Sequence, residues 1–155
     1  MSDTRHPKPF PFPFHDADKE IVAAAKAHTL EEWVQKFLLN EGNHGLATAL
    51  RTESALLVDL IEIPLALLNK IDGPEPVQKR ETLDVWEERV SGLTLMIAEG
   101  YKPPPLIVTD FWKPFEIVDG NHRHEAMLRN NIEKYPTIFF IKNEESVKIL
   151  TQFKS

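Results

Sequence analysis

The chain has no cysteine. Disulfides, thiolate metal sites and a thiol nucleophile are therefore excluded. The absence fits a reducing compartment, so a cytoplasmic location is expected. No apolar run approaches the ~20 residues that a membrane-spanning helix needs. Residues 1–15 lack the continuous apolar stretch of a signal peptide, and no membrane partner is expected. There is no basic run either. Against 18 Lys and Arg stand 24 Asp and Glu, a net charge of -6. Non-specific DNA affinity comes mostly from neutralising phosphates, so the charge disfavours DNA as a partner. All of the excess acid lies in residues 1–105, because residues 106–155 carry equal numbers of acidic and basic side chains. The six glycines form no Gly-rich phosphate loop, and no HExxH-type pair occurs. No protein-held metal is expected. The two neighbouring histidines, His122 and His124, are two apart and do not share a helix face.

What is present reads as one α+β domain: a small mixed β-sheet packed with helices, preceded by an added N-terminal helical segment. Residues 1–15 form an arm in which Pro7, Pro9, Pro11 and Pro13 alternate mostly with Phe10, Phe12 and Phe14. Proline fixes φ and removes donors, so this arm is extended. Its phenylalanines would pack on the domain, on a second copy in a homodimer, or on another partner. Residues 16–55 read as a helical layer. Asp16 or Asp18 would cap a first helix. Thr29 and Glu32 have capping-box spacing and open a helix over 30–39, with Leu30, Trp33, Val34, Phe37 and Leu38 on one stripe. The glycines of residues 40–45 interrupt that pattern, and a short helix follows over 46–51.

Residues 56–155 carry the sheet. A β-like segment at 56–63 puts Val58, Leu60 and Glu62 on one face. A loop at 72–76 leads to a helix over 83–99, with Leu83, Trp86, Val90, Leu93 and Ile97 inward and Gly100 at its C-terminal end. Strands are expected at 106–109, 115–118 and 136–141, with a turn over 110–114 joining the first two. A helix follows Gly120 to about Arg129, and a short helix or strand closes the chain at 146–153.

The most informative stretch is 115–128, FEIVDGNHRHEAML. An apolar strand breaks at Asp119-Gly120, and a helix opens with Asn121, His122 and Arg123 in its first turn. The first amides of a helix have no internal partners, and the helix dipole adds about half a positive charge there. A strand turning into such a terminus, with cations present, is a place to hold a phosphate. Gly120 suits a left-handed turn or a close approach of backbone to ligand. Asn121 is a good N-cap residue. His122 offers a donor or proton transfer near neutral pH. Arg123 matches bidentate phosphate recognition, with a salt bridge to a neighbouring carboxylate as its structural alternative. Asp119 would orient His122 or hold Mg²⁺ on a nucleotide, or else simply form the turn.

The segment DGNHRHEA, residues 119–126, resembles the GxHR-type signature of the ParB/sulfiredoxin-like fold superfamily, which includes the ParB-like nuclease domain. The order of elements over 83–141 also fits that family. The resemblance implies that the turn binds nucleotide phosphates. Sulfiredoxin has its catalytic cysteine where Asn121 stands, so sulfinic-acid reduction is not expected. The free-serine kinases of the family use a Glu of the first strand as a base, and Glu62 resembles it by position alone. The resemblance covers roughly residues 57–143 and leaves the N-terminal segment outside it.

Three readings follow. The first is an NTP-binding protein with Mg²⁺, hydrolysing the nucleotide or passing its phosphoryl group to a small acceptor, with Glu62 and Asp119 catalytic and Gly120, Asn121, His122 and Arg123 on the phosphates. The second is a ParB-like DNA-binding or nuclease protein, which the charge disfavours. The third is a regulatory module that keeps the phosphate turn without catalysis.

Overall fold

The computed structural model describes residues 21, 23–25, 29–70 and 82–154. The Pro/Phe arm, the caps at Asp16 and Asp18, and the 72–76 loop lie outside the described residues. The elements run α1 (Leu30–Asn40), α2 (His44–Thr52), β1 (Leu57–Pro64), a 3-10 turn (Leu65–Leu67), α3 (Leu83–Ala98), β2 (Leu106–Thr109), β3 (Glu116–Asp119), α4 (Asn121–Arg129), β4 (Lys134–Ile141) and α5 (Glu144–Thr151).

The four strands form one mixed sheet in the order β1-β4-β2-β3. β1 pairs antiparallel to β4, β2 parallel to β4, and β2 antiparallel to β3. Successive strand residues point to opposite faces, and here both faces are covered. Ile107, Ile138 and Phe140 pack with Val34, Phe37, Leu38 and Leu50 of α1 and α2. Leu106, Val108, Ile117, Phe139 and Ile141 pack on the other face with Met127 of α4 and Leu150 of α5. Two-sided burial explains why β2 and β4 read as unbroken apolar runs rather than alternating ones. The expected α+β architecture with a small mixed sheet is present. A third cluster joins α3 to α4 through Trp86, Val90, Leu93 and Ala126.

Several local expectations need correction. Thr29 precedes α1 but its side chain does not cap it. Its N–H and hydroxyl both donate back to the Ala24 carbonyl, so closing the preceding turn competes with opening the next. Leu83 was expected inward and is 55 % exposed; Trp86, Val90 and Leu93 of α3 are buried, and Ile97 packs against them as expected. The terminal segment is helical, and Asn143 caps it by accepting from the Glu145 N–H.

Two polar ties hold this arrangement. Asp110, in the β2–β3 turn, accepts from the Lys142 and Asn143 backbone N–H groups at 2.8 and 3.0 Å, which joins that turn to the start of α5. Arg129, at the end of α4, donates from both terminal nitrogens to the Glu87 carboxylate of α3 at 2.6 and 2.9 Å. That fork holds the Glu87 carboxyl well below its usual range, at about 2, with the Ser91 hydroxyl adding to it. The pair is half in solvent, so it fixes the angle between α3 and α4 more than it adds stability.

Candidate functional site

The turn between β3 and α4 is built around Gly120, which lies at φ 107° and ψ 23° as the N-cap of α4. That left-handed conformation is costly for residues with a Cβ. The space is closed as well: a Cβ on Gly120 would lie 2.6 Å from Leu106 Cδ2 and 2.7 Å from Arg123 Nη2. A glycine has no side chain to offer the helix end. Asn43, Thr82 and Asn143 do cap α2, α3 and α5 with side-chain oxygens. α4 therefore starts without a side-chain cap, with its dipole facing the turn. The sequence pointed to Asn121 as that cap.

Asn121 is instead the first helical residue. It is buried, and its side-chain amide donates to the Ile117 carbonyl at 3.0 Å. The reason is that Gly120 already takes the bend, so Asn121 enters helical conformation and its amide reaches back along β3. His122 is half-buried, with its ring 4.7 Å from the Trp86 ring and tilted by 35°. α3 thus supplies a wall for the first turn of α4.

Arg123 folds back over Gly120 rather than outward. Its Nη2 donates to the Asp119 carboxylate at 3.1 Å and to the Pro105 carbonyl at 3.0 Å. Its Cζ lies 5.9 Å from the centre of the Phe37 ring of α1. Its Nε is buried with no hydrogen-bond partner. Asp119 and Arg123 are thus brought together, as an i,i+4 pair with little exposure. Asp119 serves here as the clamp on Arg123. Tyr101 stands near the same guanidinium. Burial pushes its phenol up, Arg123 opposes that, and Glu41 of the α1 end adds to it.

Glu62 is not brought to this turn. It lies exposed on β1, opposite Pro136 of β4. The strand order leaves β4 and β2 between β1 and β3, which separates Glu62 from Asp119 by roughly 14 Å at ordinary strand spacing. By alternation it shares a face with Leu60, on the α1 side, whereas Ile61 and Ile63 face the α4 side. Glu62 lines a separate open groove of about 820 Å³ with Leu128, Glu133, Lys134 and Phe153. His44 opens α2.

His124, which does not share a helix face with His122, is buried. Its Nε2 lies 2.8 Å from the Leu65 carbonyl, which makes Nε2 the donor, and its Nδ1 has no partner. Desolvation lowers its pKa from 6.5; the Leu65 bond opposes this, and Lys70 reinforces it. A base whose folded pKa is depressed binds its proton more readily when unfolded. Its contribution to stability is therefore complete above pH 6.5 and is lost as pH falls below that value. Unfolding free energy measured from pH 8 down to 5 should decline in that lower window. The decline should be smaller in His124→Gln, whose amide keeps the donor to Leu65 and does not titrate. Equal slopes in the two proteins would remove His124 as the cause.

Sequence reasoning missed Phe37, Trp86 and Tyr101 at this turn. Phe37 and Trp86 carried a signal for core packing, and all three do pack; what the sequence lacks is any mark of which cores meet at Gly120. The described residues hold no group of three or more His, Cys, Asp or Glu able to bind a metal, and Asp119 is already held by Arg123.

No family model matches the chain, and no curated protein matches it. Among solved structures, it is similar to the C-terminally truncated chromosome-partitioning protein ParB from Caulobacter crescentus complexed with CTP-gamma-S, at 20% identity and a TM-score of 0.35. The match covers 62% of this chain and 54% of that chain, so this chain spans about half the length of that protein.

Proposed function

We propose that the protein binds the phosphates of a nucleotide at the start of α4. The observation that carries this reading is the turn itself: a left-handed glycine that leaves the helix without a side-chain cap, with a guanidinium folded over it. Backbone N–H groups and the helix dipole favour an anion there. Arg123 adds a charge with a buried, unpartnered Nε, and His122 stands one residue before it. Asp119 moderates the site, because it shares Arg123 and an incoming phosphate competes with it. Magnesium enters this reading only as a companion of the nucleotide.

Binding without turnover is the form the geometry favours. Phosphoryl transfer or hydrolysis needs a carboxylate to orient or deprotonate the attacking group. Glu62 stands across two intervening strands, and Asp119 is occupied. A small-molecule acceptor and a DNA partner have no observation in their favour.

Titration calorimetry with CTP, ATP and ADP in the presence of Mg²⁺ tests the reading, on the native protein and on Arg123→Ala. A nucleotide should bind the native protein, and binding should weaken by roughly tenfold or more in the variant, since hydrogen bonds to charged groups contribute about 1.5–3 kcal/mol. Undiminished binding by Arg123→Ala would move the site elsewhere. No binding of any nucleotide by the native protein would overturn the reading.

A further inference from the structure

We infer that Phe37 of α1 is a positioning residue for this phosphate site, acting through Arg123; the inference rests on the reading above. It gives the N-terminal helical layer a part in the site, where the sequence assigned that layer to packing alone.

The guanidinium of Arg123 is held on three sides. Asp119 and Pro105 both take Nη2, and the Phe37 ring lies beneath the group at 5.9 Å. The first two contacts use a single nitrogen. Two bonds through one nitrogen hold that corner of the group. The aromatic face supports the rest of it, because a cation is attracted to the face of the ring. The ring is itself fixed. Phe37 is 3 % exposed and stacks on Trp33 at 5.3 Å with 11° between the planes. Its own helix is anchored on the sheet through Val34 and Leu38. The chain of support runs from the sheet through α1 to Phe37, then to Arg123, and so to the space over Gly120.

The consequence concerns the nitrogens that the clamp leaves over. Nε is buried and unpartnered, and a buried donor of that kind costs free energy unless a ligand satisfies it. The contact with the Phe37 ring supports the group that carries it. A bidentate hold on a phosphate needs the guanidinium plane to contain the acceptor oxygens. Loss of the ring would keep the charge and lose the orientation. A purely structural Phe37 would be replaceable by any apolar side chain of similar volume.

The test compares Phe37→Leu and Phe37→Met, which fill the space without a π face, with Phe37→Tyr, which keeps the face. CTP and ATP with Mg²⁺ are titrated into each protein, and a thermal melt establishes that each is folded. The expected result is a dissociation constant raised about 3- to 20-fold in the Leu and Met variants, as a cation–π contact of this kind predicts, and restored to near the native value in the Tyr variant. Either non-aromatic variant serves if the other fails to fold. Native-like binding by a folded Leu or Met variant overturns the inference and leaves the phosphate site standing. Weakening of all three, Tyr included, also overturns it, because the loss then follows packing and not the π face. If the native protein binds no nucleotide, the inference falls together with the reading on which it rests.

Discussion

Replacing Gly120 by alanine is expected to destabilise the fold by about 2–5 kcal/mol, whereas alanine at Gly100 should cost about 1–2 kcal/mol. The two glycines share a φ of 107°, so the conformational penalty is common to both. They differ in surroundings. Nothing lies within 4 Å of a Cβ placed on Gly100, but on Gly120 that atom would meet Leu106 Cδ2 and Arg123 Nη2 at well under contact distance. Leu106 is fully buried between β4 and α4 and yields only by disturbing the core. Arg123 yields more readily, by leaving Asp119 and the Pro105 carbonyl. Both responses damage the turn, one through stability and the other through the position of the guanidinium. Urea unfolding of the two variants measures the difference, and nucleotide titration of Gly120→Ala at a temperature where it remains folded should show weakened binding. Equal destabilisation by the two replacements would mean that Arg123 and Leu106 do not crowd Gly120 in solution.

That turn was the most legible part of the chain, and the reason is that its signals are local. Asp119-Gly120 ends an apolar run, and Asn130-Asn131 stands where α4 stops, with Asn131 at φ 59°. The expected helix and the observed Asn121–Arg129 therefore coincide. β2 at Leu106–Thr109 was equally legible, bracketed by Pro105 and Asp110. The identity of the cap was not, because Gly120 and Asn121 are both acceptable there and only the backbone decides between them. The role of Thr29 escaped for a similar reason: its hydroxyl can accept from the first turn of α1 or donate back to the Ala24 carbonyl, and it donates. The distance between Glu62 and Asp119 could not be read at all. It depends on β4 entering the sheet between β1 and β2, and β4 is the last strand made. Phe37 and Trp86 reach the turn from helices on different sides of it. Periodicity identified both as buried, but it carries no information on which buried faces converge.

Trp86→Ala is expected to cost about 3–5 kcal/mol, in the upper range for a fully buried aromatic side chain. For a domain whose total stability lies near 5–15 kcal/mol, that is a large fraction. Trp86 is 2 % exposed and carries two loads. It fills the α3–α4 seam with Val90, Leu93 and Ala126, and its ring is the surface against which His122 lies. The seam is also tied at its far end by Arg129 and Glu87, so α4 should remain docked there after truncation while its first turn loosens. Trp86→Phe separates the two loads. Phenylalanine keeps an apolar ring in the seam at a cost of about 1–3 kcal/mol for the lost volume, but it presents a smaller face to His122. Chemical denaturation should therefore rank the proteins native, Phe, Ala. Amide exchange should show faster opening at His122 and Arg123 than at Leu128 and Arg129 in the alanine variant, because protection follows the local packing that remains. Uniformly faster exchange along α4 would mean that Trp86 supports the whole helix, and that the first turn owes nothing particular to its ring.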